Sequence, residues 1–100
     1  MKIPWIFLVL ALGMISAAYG GKELDAAEVR DRVAAGEILP FQTIFDQQSA
    51  RLTGKILDLE IEYEDHMLTY EVKLLQPDGH IKEIYLNAKT GEILKEEIDD

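Results

Sequence analysis

The feature that most constrains the fold is a run of alternating apolar and acidic residues near the middle of the chain. A β-strand sends successive side chains to opposite faces, so this run predicts a strand with one apolar and one polar face. The apolar members are Leu57, Leu59, Ile61 and Tyr63, and the acidic members are Asp58, Glu60, Glu62 and Glu64. One buried and one solvated face is typical of an antiparallel sheet.

Three later segments, residues 68–76, 80–88 and 92–98, have the length and composition of further strands. Turn signals separate them, above all Pro77-Asp78-Gly79, where proline presets its backbone angle and glycine accepts a positive one. Ile81 interrupts strict alternation, which predicts a bulge near that turn. The charged residues 95–100 are expected to fray, which leaves the last strand short. The sequence therefore predicts an antiparallel meander of three to four strands.

Two short helices are predicted before the sheet. The first helix is predicted over residues 22–35, with Asp25 and Glu28 at capping-box spacing near its start. The second helix starts near Pro40, and its apolar residues are expected to cover the apolar face of the sheet, giving an α+β fold. Phe41 and Phe45 are interpreted as core residues, the alternative being that they grip a peptide or ligand. The predicted cap and turn positions are Gly36, Pro40, Gly54, Asp78, Gly79, Asn87 and Gly91.

The N-terminal residues 1–20 have the pattern of a secretory signal peptide. Lys2 precedes an apolar run over residues 3–15, and small residues follow it. Cleavage after Ala18 or after Gly20 fits the pattern, and an uncleaved membrane anchor is the alternative. The sequence therefore predicts a periplasmic or secreted domain over residues 21–100.

Charge and cysteine content exclude several classes of function. The chain has a formal net charge of −9 and contains no cysteine. A field of that sign repels nucleic acid and anionic lipid, and it favours cations or a partner with a basic patch. Disulfides, thiolate metal sites and a cysteine nucleophile are excluded by composition.

The acidic strand face offers weak metal candidates in Asp58, Glu60 and Glu62. Alternate residues on a strand lie about 6.6–6.8 Å apart. A calcium ion needs oxygens converging at about 2.3–2.6 Å, so one straight strand cannot supply the site. A neighbouring strand, with Glu71 and Lys73 as its expected occupants, could help. A solvated face is the main interpretation; a weak cation site and a partner-binding stripe remain open, and no metal or cofactor is predicted.

No catalytic constellation is evident in the sequence. His66 and His80 both fall at predicted turns, and a pair without cysteine or close spacing is a poor zinc signature. The hydroxyl residues without an evident base and orienting acid nearby in sequence are Ser49, Thr53, Thr69 and Thr90. The sequence predicts that the protein is not an enzyme.

The order of these features resembles the PepSY family of small extracytoplasmic domains. The resemblance rests on residues 33–41, 54–60, 70–75, 78–79 and 84–94. It implies a helical part packed on an antiparallel sheet and a non-enzymatic role. PepSY domains occur in propeptides of thermolysin-like metallopeptidases and in other secreted or membrane-bound proteins, where they act as regulatory modules. Asn87 departs from the aspartate often found in the family's last turn.

Two functional hypotheses follow. The first is a small exported binding or regulatory module that restrains a peptidase or modulates another envelope protein. Its support in the residues is a small one-sheet domain whose open edges can accept an extended segment from a partner. The alternative is a periplasmic sensor or buffer for calcium or another divalent cation, suggested by the acidic strand face.

Overall fold

In the computed structural model, which describes residues 22–99, two helices pack on one face of a five-stranded antiparallel sheet. The elements in chain order are β1 (Lys22–Glu23), α1 (Ala26–Ala34), α2 (Phe41–Gln47), β2 (Lys55–Glu64), β3 (Met67–Leu75), β4 (Ile81–Asn87) and β5 (Ile93–Asp99). Each strand pairs with the next along the chain, so the sheet is a meander. The predicted α+β fold is confirmed, and the predicted signal peptide over residues 1–20 lies outside the described residues.

The predicted count of three to four strands is wrong because residues 22–23, within the range of the predicted first helix, form the short strand β1. Asp25 caps α1, so the helix begins only at Ala26. Lys22 and Glu23 pair instead with Tyr63 and Glu62 of β2. Two residues are too few to show a strand periodicity in the sequence.

The pairing of β2 with β3 explains where alternation holds and where it fails. Ile61 lies opposite Tyr70 and Leu59 opposite Val72, so these residues share the helix-covered face. The register shifts between Ile56 and Asp58, which makes Leu57 the extra residue of a bulge. The predicted strand is therefore correct, whereas the predicted place of Leu57 in the apolar row is wrong.

The other end of the sheet is irregular at a different place than predicted, since the β4–β5 register shifts between Tyr85 and Leu86. Leu75 pairs with Ile81 across the Gly79 turn, so the expected bulge near Ile81 is absent from the β3–β4 pairing. The expected frayed tail is also wrong, since β5 pairs with β4 as far as Asp99. The Glu96 carboxylate contacts Arg51, and it lies 3.1 Å from the Lys82 ammonium.

The core lies between α2 and the middle of the sheet. Its largest fully buried side chains are Ile44, Leu52, Val72, Leu74, Ile84 and Leu86. No residue of α1 is fully buried, although Val29 and Val33 pack against the core. The helices leave the first half of β2 uncovered: Leu59 is 40% exposed, whereas Ile61 is 5% exposed.

The turn between β4 and β5 fixes α2 on the sheet. Gly91 has a φ of +82°, and a Cβ there would collide with the Gln47 side-chain oxygen. The Gln48 side-chain amide donates to the Gly91 carbonyl oxygen at 2.9 Å. Within the same turn the Asn87 side-chain oxygen accepts a hydrogen bond from the Lys89 N–H at 2.8 Å. Asparagine thus supplies the oxygen acceptor that aspartate would supply.

Among residues 22–99, no helix is long and apolar enough to cross a membrane.

A matched pair of isoleucine substitutions tests this account of the core. Ile44→Val removes a methylene at a fully buried position and should lower the free energy of unfolding by about 1 kcal/mol. Ile98→Val removes the same group where the side chain is 59% exposed, and should change it by less than about 0.5 kcal/mol. Denaturant unfolding measures both, and equal losses would contradict the assigned core.

Candidate binding surfaces

The larger candidate site is an open groove between α1 and β2, which we call the α1–β2 groove. It has a volume of about 750 Å³. Its apolar lining comes from both helices and from β2 and β3: Val29, Val33, Phe41, Leu59, Ile61 and Tyr70. Groove walls of this kind bind apolar side chains of a ligand or partner.

One wall of the groove is α1, which polar contacts hold at both ends. The N-terminal end has a complete capping box: the Glu28 N–H donates to Asp25 Oδ1 at 2.8 Å, and the Asp25 N–H donates to Glu28 Oε1 at 3.3 Å. Near the C-terminal end, Arg32 Nη1 donates to Glu37 Oε2 at 3.0 Å. The Arg32 guanidinium also lies 5.8 Å from the Tyr63 ring centroid. These contacts fix the ends of α1, while Val29 and Val33 pack it against the core without full burial.

The floor of the groove is tied to the core. The Tyr70 hydroxyl donates to the Leu39 carbonyl oxygen at 2.7 Å, and burial raises the pKa of that hydroxyl. The Phe41 ring centroid lies 5.5 Å from that of Tyr70 and 6.0 Å from that of Phe45. Phe41 thus packs against the core and also lines the groove. Its interpretation as a core residue is therefore compatible with the alternative that it contacts a ligand.

Beside the groove, residues 55–60 of β2 form an edge that β1 does not cover, and we call this the open β2 edge. The last contact of the β1 segment with β2 is a hydrogen bond from the Leu24 N–H to the Ile61 carbonyl oxygen at 2.8 Å. Beyond it the Leu59 N–H donates to the Asp58 side chain at 3.0 Å. The edge also carries exposed Ile56 and Leu57. It combines backbone hydrogen-bonding groups with apolar side chains.

The opposite face of the sheet carries three carboxylates that converge, and we call Glu60, Glu62 and Glu71 the carboxylate cluster. One oxygen from each lies within 4.8 Å of the others. Glu71 of β3 lies directly opposite Glu60. The structure thus brings together two of the predicted metal candidates, Glu60 and Glu62. The third member, Glu71, was predicted only to lie on the neighbouring strand. Asp58 lies outside the cluster, and its oxygen accepts the Leu59 N–H.

Crowding of the carboxylates on this face raises the pKa of Glu60 and of Glu71. Burial, followed by the hydrogen bond and charge of Glu62, raises the pKa of Glu71 to about 7. The hydrogen bond with Asp58, followed by burial, raises the pKa of Glu60. Like charges opposite one another on neighbouring strands destabilise a sheet. This face therefore favours protons or other cations that reduce its charge.

His80 and most of the hydroxyl candidates have local structural contacts, and His66 lies in a turn. His80 Nδ1 lies 2.9 Å from Asp78 Oδ2 at the turn, and hydrogen bonds from the His80 backbone and side chain lower the pKa of Asp78. His66 occupies a turn with a φ of +65°. The hydroxyls of Thr53 and Thr69 contact Gln76 and the Met67 carbonyl oxygen. Thr90 Oγ1 accepts the Glu92 N–H at 3.2 Å. In the structure these residues support turns and strand ends.

Comparison with known proteins relates the chain to one family. The family model described as "Peptidase propeptide and YPEB domain" matches residues 15–97. The match includes both helices and β1 to β4, and it ends within β5. Neither the curated proteins nor the solved structures gave a match.

Replacing Glu71 by glutamine tests the carboxylate cluster through pH. Because the folded-state pKa of Glu71 is raised to about 7, its ionisation weakens the folded state as pH rises from about 4.5 to 7. Glu71→Gln mimics the neutral acid, so at pH 8 it should raise the free energy of unfolding by about 1 kcal/mol, a value reduced for solvent screening. At pH 4 the difference should vanish.

The control Glu92→Gln removes the same charge at an exposed turn position. Urea unfolding of both variants at pH 4 and pH 8 gives the comparison. A pH-independent effect of Glu71→Gln, or an equal effect of Glu92→Gln, would contradict the raised pKa.

Proposed function

Because the chain belongs to the PepSY family, we propose that it is an exported, non-catalytic module that restrains a peptidase or modulates another envelope protein. PepSY domains are generally inhibitory or regulatory modules of the propeptide kind, and they commonly interact with peptidases. The observation that carries the proposal is the family match over residues 15–97, which covers nearly all of the described domain. Regulation would then depend on the surface of this domain.

The α1–β2 groove gives such a module a binding surface. Its walls are apolar, and α1 contributes no fully buried residue, so the groove lies open beside a loosely packed helix. Apolar side chains of a partner would lose water on entering it, which favours binding by about 25 cal/mol per Å². Exposed backbone groups of the open β2 edge would add directional hydrogen bonds.

Export is part of the proposal. PepSY proteins are typically extracellular or periplasmic. Residues 1–20 would act as a signal peptide, cleaved after Ala18 or Gly20, which leaves residues 21–100 as the functional domain. Contact with the membrane would then depend on an uncleaved signal segment.

A second candidate function is divalent cation sensing or buffering at the acidic face. The observation that favours it is the convergence of Glu60, Glu62 and Glu71, whose oxygens lie within 4.8 Å of one another. Carboxylate oxygens are the ligands that calcium prefers. Against it, the charge of Lys73 on the same face lowers the pKa of Glu71 and so already offsets part of the negative charge of the cluster.

Inhibition of a thermolysin-like metallopeptidase tests the leading proposal. The purified protein should slow hydrolysis of a peptide substrate in a concentration-dependent way. Val29→Glu places a charge in the α1–β2 groove and should weaken inhibition about tenfold, which corresponds to about 1.4 kcal/mol. Ala27→Glu adds the same side chain at an exposed position on the same helix and should leave inhibition unchanged.

Unchanged peptidase activity at saturating protein, together with failure to retain an envelope protein on the immobilised chain, would overturn the proposed regulation. Equal effects of Val29→Glu and Ala27→Glu would remove the groove from the binding surface.

Calorimetry with calcium, magnesium and zinc tests the second candidate. Binding at the carboxylate cluster should give a heat change beyond that of salt dilution and should raise the Tm of the protein, because the ligand stabilises the folded state. Glu71→Gln should abolish both effects, whereas Glu92→Gln should preserve them. Heat that matches salt dilution alone, without a Tm shift, would exclude cation binding.

A further inference from the structure

The open β2 edge has backbone groups directed away from the sheet. Successive residues of an antiparallel strand direct their N–H and C=O groups to alternate sides. The Ile61 carbonyl oxygen faces the β1 side, where it accepts the Leu24 N–H at 2.8 Å. The Leu59 groups, two residues away, therefore face the same side. The Leu59 N–H is satisfied locally, by the Asp58 side chain at 3.0 Å.

The course of the chain explains why residues 22–99 leave this edge uncovered. The segment of β1 runs antiparallel to β2 and reaches Ile61 through Leu24. Asp25 then caps α1, so the described chain turns away just before residues 55–60. Six residues of β2, with the bulge at Leu57 among them, are left in line with β1 over about 20 Å.

The two faces of this edge have opposite chemistry. On the helix side lie exposed Leu59 and the apolar α1–β2 groove. On the other side lie Asp58 and Glu60, followed along the strand by Glu62. A strand added here would alternate its side chains between these faces. Apolar residues would enter the groove, and the residues between them would lie beside carboxylates.

Charge selects among the possible occupants. Two copies of this chain paired through their open edges would bring together two rows that contain Asp58, Glu60 and Glu62 with Lys55 as the single cation, and like charges opposite one another destabilise a sheet. The chain as a whole has a net charge of −9, which adds to that repulsion. Lysine or arginine on the added strand would instead neutralise the row.

We propose that the open β2 edge binds an extended segment of a partner protein in which apolar residues alternate with lysine or arginine. This inference rests on the proposed regulatory function and specifies how the partner is held. The segment lies in line with β1, exchanges backbone hydrogen bonds with Leu59, and displaces the Asp58 side chain from the Leu59 N–H. The freed carboxylate then pairs with a basic residue of the segment.

The test is an NMR titration of the purified ¹⁵N-labelled protein with an end-blocked six-residue peptide that alternates isoleucine and lysine. Amide shifts should be largest at residues 55–61 and in α1. A peptide with glutamate in place of lysine should bind at least tenfold more weakly. A peptide N-methylated at alternate residues lacks the N–H groups that would pair with the edge, and its affinity should also fall at least tenfold. Added salt should weaken binding of the lysine peptide.

Two leucine variants provide a matched control. Leu59→Lys places a cation beside the groove and should weaken binding of the lysine peptide at least tenfold. Leu94→Lys adds the same charge on β5, where the leucine is 44% exposed, compared with 40% for Leu59. Its affinity should stay within twofold of the original protein. Both positions are exposed enough for lysine to be accommodated in the folded protein.

Equal binding of the lysine and glutamate peptides, equal losses in the two variants, or shifts confined to β5 would each overturn the inference. Self-association through residues 55–60 without peptide would identify a second copy as the occupant and would also overturn it. If Leu59→Lys leaves metallopeptidase inhibition intact while Val29→Glu weakens it, the edge inference fails and the regulatory function stands.

Discussion

The limited reach of two short helices over one face of a larger sheet determines most of this structure. Helices of nine and seven residues are about 13 Å and 10 Å long, whereas the ten-residue strand β2 extends about 33 Å. They can bury Tyr70, Val72 and Ile84 in the middle of the sheet but not Leu59. The core and the groove are therefore two consequences of one packing arrangement.

The two faces of the sheet contribute differently to stability. The helix-covered face supplies the buried core, whereas the opposite face crowds Glu60 and Glu71 directly across from each other. Such a pair weakens the sheet whenever both groups are charged. Its cost is limited by the raised pKa of each group and by the nearby Lys73. Residues that lower stability in this way are candidates for a role in binding.

The sequence predicted what depends on local patterns and missed what depends on pairing. Asp25 and Glu28 form the expected capping box, and alternation located β2, because both signals involve neighbouring residues. The bulge at Leu57, by contrast, arises from the register with β3. Glu71 joins the carboxylate cluster only through that same register, and β1 is too short to leave a pattern. The groove could not be predicted without knowing how far the helices extend over the sheet.

At the open β2 edge, the acidic residues affect which strands can pair with the sheet. An exposed edge with apolar side chains is normally an aggregation hazard, since any other strand can pair with it. Here the Asp58 side chain accepts a hydrogen bond from the Leu59 N–H. The acidic residues Asp58, Glu60 and Glu62 would repel those of a second copy. A basic segment would meet no such repulsion, and it could take over the N–H while pairing with the released carboxylate. The residues that disfavour pairing with a second copy at this edge are thus also the ones that would select its partner.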